Sequence, residues 1–331
     1  MSRQRYLLPV AMAWALVAEV SRVHGVAVEM LKQQPDLERG LAKRLQKFTA
    51  DVHARFPADM RTDTAVVNDG RLTNQRLESV FRKCLTPGAE IRVGAVGGSI
   101  TKGGGASGSG VSVDTAYQTR YAGWLQRMCP HATVTVVQGG KGTSNSFLPA
   151  MCLPTILGDM LDVLFTEFAL NDYNSFPNRG ESYELLMRSA LSLSTEAKDT
   201  HASRGDGATA TESADGGAPV GAAGAPGPPA VMGIHFWGPD FIHDTNQEVD
   251  TKVLRHYGIS GISIRDVVWP YYIRGQAPYD AKEHVCTDRH HPTNAVHAHL
   301  ADILALYTAQ RFLAWLLPEA HLASLATGGA E

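Results

Sequence analysis

A chain of 331 residues with 44% hydrophobic content is long enough to bury one large core or two ordinary ones. Its 30 Lys and Arg stand against 33 Asp and Glu, a net charge of -3, so no extended positive field draws nucleic acid and no nucleic-acid partner is expected. The four cysteines, Cys84, Cys129, Cys152 and Cys286, form no CxxC pair; this argues against a zinc ribbon or a thioredoxin-like redox site, and their even number permits disulfides without showing them.

At the start of the chain, Arg3 and Arg5 precede the apolar run Leu7 to Ala18, which has the length and basic flank of a secretory signal. Residues 1–25 are therefore read as a signal peptide or N-terminal hydrophobic segment. Entry into the secretory pathway is the expectation, with a buried N-terminal helix of a cytoplasmic protein as the alternative. The run is too short for a stable membrane span, and no other segment is long enough. Residues 26–88 read as a helical extension, with Leu37, Leu41, Leu45 and Phe48 spaced along one helical face.

From Ile91 the pattern changes to short apolar runs separated by helical stretches. IRVGAV is followed by the helical TAYQTRYAGWLQRM, ATVTVV by a helix near 152–160, and DVLFTEFAL by the helical ESYELLMRSALSLSTEA. AVMGIHFW and GISIRDVV come next, and a long apolar helix follows Asn294. Nearly continuous apolar strands alternating with helices predict an α/β fold: a three-layer, doubly wound, mainly parallel sheet covered on both faces. Residues 199–229 are rich in Gly, Ala, Pro, Ser and Thr with almost no large apolar side chain, and read as a disordered surface insertion within one domain spanning 89–318. The Arg204-Gly205-Asp206 tripeptide inside it is read as a chance match.

The glycine-rich stretch VGAVGGSITKGGG, residues 93–105, could cradle a phosphate or present the hydroxyl of Ser99. A P-loop is excluded because Lys102 precedes Gly103 instead of following the last glycine. The G-x-G-x-x-G string at Gly103–Gly108 lies beyond the strand end, and no acidic residue stands about 20 residues further on, so no dinucleotide cofactor is expected. A serine on a sharp turn at the carboxyl edge of the sheet fits better, but its hydroxyl needs a base and the base an orienting group. Asp288 and His291, three residues apart before the last helix, supply that pair, with His290 as a rival base. The same segment holds His284, Cys286, Asp288, His290 and His291, a crowded set of metal-ligand types read as a loop without metal.

These residues occur in an order that resembles the SGNH (GDSL-type) hydrolases. Gly97-Gly98-Ser99 is similar to the first block with Gly98 in place of aspartate. Gln138-Gly139-Gly140-Lys141-Gly142 is similar to the second, Ala169-Leu170-Asn171-Asp172 to the third with its glycine lost, and Asp288, His291 and Pro292 match the last in full. The resemblance implies a flavodoxin-like α/β fold and a serine esterase without cofactor. Ser99 would be nucleophile, His291 general base and acid, and Asp288 its orienting group. The oxyanion hole would be built from the amides of Ser99 and Gly142 and the side chain of Asn171, with Gly140 a rival to Gly142. Lys102, Glu167 and Asp172 are read as local structure. No G-x-S-x-G elbow is present, which disfavours the α/β-hydrolase superfamily. The implied substrate is a small-molecule or glycan ester with a short acyl group such as acetyl. An acyltransferase and a catalytically inactive glycan- or partner-binding module are the alternatives.

Overall fold

The computed structural model describes residues 35–108, 110–194, 227–240 and 243–317. The N-terminal apolar run, most of the low-complexity insertion and the last residues lie outside these, and so does the reading of residues 1–25 as a leader.

The elements, in order, are α1 (35–55), α2 (Thr62–Ala65), β1 (Val66–Asn68), α3 (Arg71–Cys84), β2 (Glu90–Gly97), β3 (Gly104–Ser107), β4 (Gly110–Val111) and α4 (Tyr117–Met128). Then come β5 (Thr133–Gly140), α5 (Phe147–Leu157), β6 (Val163–Glu167), α6 (Ala169–Ser175), α7 (Glu181–Leu191), β7 (Ala230–His235), α8 (Gln247–Tyr257), β8 (Ser260–Ser263), α9 (Arg265–Ile273), α10 (Lys282–Val285) and α11 (Asn294–Leu316). Six strands form one sheet in the order β1-β8-β7-β6-β2-β5, all parallel except the edge strand β1, which runs antiparallel to β8. The mainly parallel, doubly wound sheet is thus as the sequence predicts.

Strand periodicity divides the core into two. On one face Ile91, Val93 and Ala95 of β2, with Val163 and Phe165 of β6, meet α1, α3, α4 and α11 through Leu41, Leu77, Tyr121 and Leu304. On the other, Val96 and Leu164 meet α5, α7 and α8 through Leu153, Leu186 and Leu254. Because successive side chains of a strand point to opposite faces, strands sandwiched in this way must be apolar throughout. Among the polar exceptions are Thr166 and Glu167, fully buried at the end of β6, with His235 of β7 and Ser260 and Ser263 of β8.

The segment predicted as a helical extension belongs to this same core. Leu77, Val80, Phe81 and Cys84 fall on one face of α3 at helical spacing and are buried. Within that segment β1 adds the edge strand, which helical periodicity does not announce. Cys84 and Cys129, at the ends of α3 and α4, are joined by a disulfide, while Cys152 and Cys286 are free thiols. The helix expected near 152–160 begins earlier, at Phe147, and kinks at Cys152 two residues before Pro154, whose ring cannot accept a regular preceding turn.

Order decides where a site can form. The chain leaves β2, passes to β5 on one side and then to β6 on the other, so the direction of winding reverses at β2. The carboxyl ends of β5, β2 and β6 therefore open on one crevice, where α/β sheets place their ligands.

Candidate active site

Ser99 sits on a tight turn directly after β2, closed by hydrogen bonds from the Lys102 amide to the Gly98 carbonyl (3.1 Å) and from the Gly104 amide to the Ser99 carbonyl (2.8 Å). Two glycines are required here by space. A Cβ on Gly97 would lie 2.1 Å from Thr101 Oγ1, and one on Gly98 would lie 2.3 Å from Asn171 Oδ1. The Asn171 carboxamide fills the space beside Gly98 where a side chain would stand.

The loop between α10 and α11 brings Asp288 and His291 to Ser99. Its ends are held by the Thr287 amide on the His291 carbonyl (2.9 Å) and a bridge between Cys286 and Pro292. Asp288 Oδ1 accepts from the amides of His290 (3.0 Å) and His291 (2.9 Å), and its Oδ2 lies 2.6 Å from His291 Nδ1. His291 Nε2 lies 2.7 Å from Ser99 Oγ. Partial burial works against the Asp288 charge, but the imidazole and these two amides hold its carboxyl well below the usual carboxylate range. An ionised Asp288 only accepts, so Nδ1 carries the hydrogen and Nε2 is left to accept the Ser99 hydroxyl.

The run Gly103-Gly104-Gly105 is the shelf on which His291 rests. A Cβ on Gly104 would stand 2.5 Å from His291 Cδ2 and 2.9 Å from the Ser99 carbonyl oxygen, and one on Gly105 would stand 2.2 Å from the Pro292 carbonyl oxygen. Gly103 and Gly105 also have φ of +101° and +80°, which other residues resist. Behind the shelf, His297 Nε2 meets the Gly104 carbonyl at 3.1 Å and its ring stacks on Tyr117. Sequence reasoning assigned this run no role once phosphate binding was excluded; its spacing carries no signal for a distant histidine.

Of the two glycines expected for the oxyanion hole, Gly142 lies beside Ser99, its Cβ position 4.0 Å from Ser99 Cβ. Gly140 is the last residue of β5, opposite Gly97, and its amide already donates to Gln138 Oε1 (2.9 Å). The loop bearing Gly142 is fastened at its far end by the Ser146 amide, which donates to Asp172 Oδ1 (2.8 Å). Burial pushes the Asp172 carboxyl up to about 6. His290 packs against Gly238, and its ring lies 4.3 Å from that of His291.

The crowded ligand types do not converge. His284 pairs with Asp280 (2.6 Å), Cys286 is buried with its thiol pushed far up by desolvation, and Asp288 faces His291. Among the described residues no three His, Cys, Asp or Glu side chains form a metal-holding group.

No family model matches this chain, and no curated protein does. Solved structures do. A two-domain esterase (CEX) active on acetylated mannans superposes with a TM-score of 0.59 at 22% identity, covering 76% of this chain and 56% of that one. Its co-crystal with mannopentaose gives 0.58 at 22% identity, covering 78% and 58%. The chain spans a little over half the length of that esterase. At this identity the likeness establishes the fold, and it is the fold that the SGNH resemblance implies.

Proposed function

We propose that this chain is a serine esterase of SGNH type that hydrolyses carboxylic esters through an acyl-serine intermediate. The observation that carries the reading is the unbroken line from Asp288 through His291 to Ser99, with links of 2.6 and 2.7 Å, at the reversal point of the sheet. In the first half-reaction His291 Nε2 takes the Ser99 proton as Oγ attacks the ester carbonyl. The tetrahedral intermediate collapses, and the imidazolium returns that proton to the departing alcohol. In the second, water loses a proton to Nε2, attacks the acyl carbonyl, and the Ser99 oxygen leaves with the proton. Asp288 fixes the tautomer and stabilises the imidazolium. The amides of Ser99 and Gly142 and the Asn171 carboxamide would hold the oxyanion, each such donor being worth about 3 kcal/mol.

For the substrate, the activity of the two-domain esterase on acetylated mannans supports a short acyl group on a glycan hydroxyl. A secretory or extracellular location is supported by the Cys84–Cys129 disulfide, since such bonds persist in oxidising compartments. Among the described residues no helix is long and apolar enough to cross a membrane. The test is hydrolysis of p-nitrophenyl esters of increasing acyl length by the wild type and Ser99→Ala. Turnover should be greatest for acetyl and fall by about 10³-fold or more in the variant. Equal, slow hydrolysis by both would leave Ser99 without a nucleophilic role and favour an inactive binding module.

A further inference from the structure

We propose that Glu167 is a positioning residue for the nucleophile, holding the Ser99 turn in place from beneath through Thr101; the inference rests on the esterase reading above. Glu167 ends β6 directly opposite Gly97 in the sheet, two residues before Ser99, and is fully buried. Thr101, on the same turn as Ser99, is also fully buried, and its hydroxyl donates to Glu167 Oε2 (3.0 Å) while lying 3.0 Å from the Tyr117 hydroxyl. With its hydrogen given to Glu167, Thr101 accepts from Tyr117, so the line runs Tyr117 to Thr101 to Glu167. The Thr101 carbonyl accepts from Gln118 Nε2 (2.7 Å) and Gln138 Nε2 (2.9 Å). Side chains from α4, β5 and β6 thus meet on one residue of the turn. Gly98, next to the nucleophile, has no side chain that could anchor the turn, and Asn171 fills the space where one would stand.

The chemical state of Glu167 matters to that hold. Burial, with Asp172 adding repulsion, pushes its carboxyl up to about 8, against the pull of the Thr101 hydroxyl and the amides of Gly98 and Thr101. Tyr117 from α4, Asp172 from α6 and Tyr183 from α7 are the titratable groups whose fields meet it. Ionising Glu167 would set a desolvated charge beside Asp172 under the turn, so the pH dependence of turnover reports on this carboxyl.

The experiment measures kcat and KM for p-nitrophenyl acetate between pH 6 and 9.5, corrected for spontaneous hydrolysis, in the wild type, Glu167→Gln, Glu167→Ala and Thr101→Val. Wild-type kcat should decline above pH 8. Glu167→Gln, neutral at every pH and able to accept from Thr101, should stay within about threefold of the wild type at pH 7 and lose that decline. Glu167→Ala and Thr101→Val should lower kcat by about 10- to 100-fold with KM within about twofold, as expected for a nucleophile displaced by a fraction of an ångström. Should Glu167→Ala not fold, Thr101→Val and Glu167→Gln carry the test. Wild-type kcat in Thr101→Val, or a wild-type pH profile in Glu167→Gln, would overturn the positioning role while the esterase reading stands. A wild type whose turnover does not depend on Ser99 would overturn both.

Discussion

At the scale of single residues, the site is as sensitive to absent side chains as to present ones. A methyl at Gly104 would collide with the His291 ring edge and the Ser99 carbonyl. Gly104→Ala is therefore expected to lower kcat by about 100-fold with little change in KM, because it misplaces the base and leaves substrate contacts alone. Gly98→Asp, which would write the usual first block back into the sequence, should lose activity rather than gain it, since its Cβ falls on the Asn171 carboxamide. Kinetics of the two variants decide this; wild-type kcat in either would mean the glycines are not required by space. That Ser99, Asp288 and His291 would meet was legible because a hydroxyl with a base and an orienting carboxylate calls for those side chains at strand ends and at a short spacing. Gly104, Thr101 and Gln138 were not legible as parts of the site, because glycine shelves and buried tethers act through contacts between distant segments.

Among the elements, the alternation of apolar strands and amphipathic helices made the parallel sheet readable. Two features escaped. β1 is three residues long with half-buried side chains, so it has no period of its own and exists only because β8 offers an edge. The cysteine pairing was open among four residues; it is set by α3 and α4 both packing against α11, with Cys84 and Cys129 buried at their ends. The bond links residues 45 apart, and closing a loop of that length restricts the unfolded chain by about 4 kcal/mol on the chain-entropy account. Reduction, or Cys84→Ala with Cys129→Ala, should lower unfolding stability by about 2 to 4 kcal/mol, measured by denaturant titration, while the Ser99 site keeps its kcat below the unfolding transition. Unchanged stability in the double variant would contradict a structural role for the bond.

For the molecule as a whole, buried ionisable groups set how stability depends on pH. Glu167 is pushed up to about 8 and Asp172 to about 6, so above the ordinary carboxylate range the unfolded chain ionises these groups first and binds fewer protons than the folded one. Stability therefore falls as pH rises, by about 1.4 kcal/mol per pH unit for each group, over the range up to about pH 6 for Asp172 and up to about pH 8 for Glu167. His235, His297 and His299 act in the opposite sense. Burial lowers them to about 3, 4 and 4, so the unfolded chain takes up protons first and stability falls as pH drops below about 6.5. The expected maximum lies near pH 6.5, and denaturant midpoints across pH 5 to 8.5 measure it. A midpoint rising steadily to pH 8.5 would contradict the neutral burial of Glu167.

The central claim, that Ser99 carries the acyl group, is tested most directly by acid-quenching the protein during turnover of p-nitrophenyl acetate and weighing the Ser99 peptide. The account predicts a peptide heavier by one acetyl group in the wild type, with no such adduct in Ser99→Ala. Turnover without that adduct, or the same adduct elsewhere in both proteins, would contradict it.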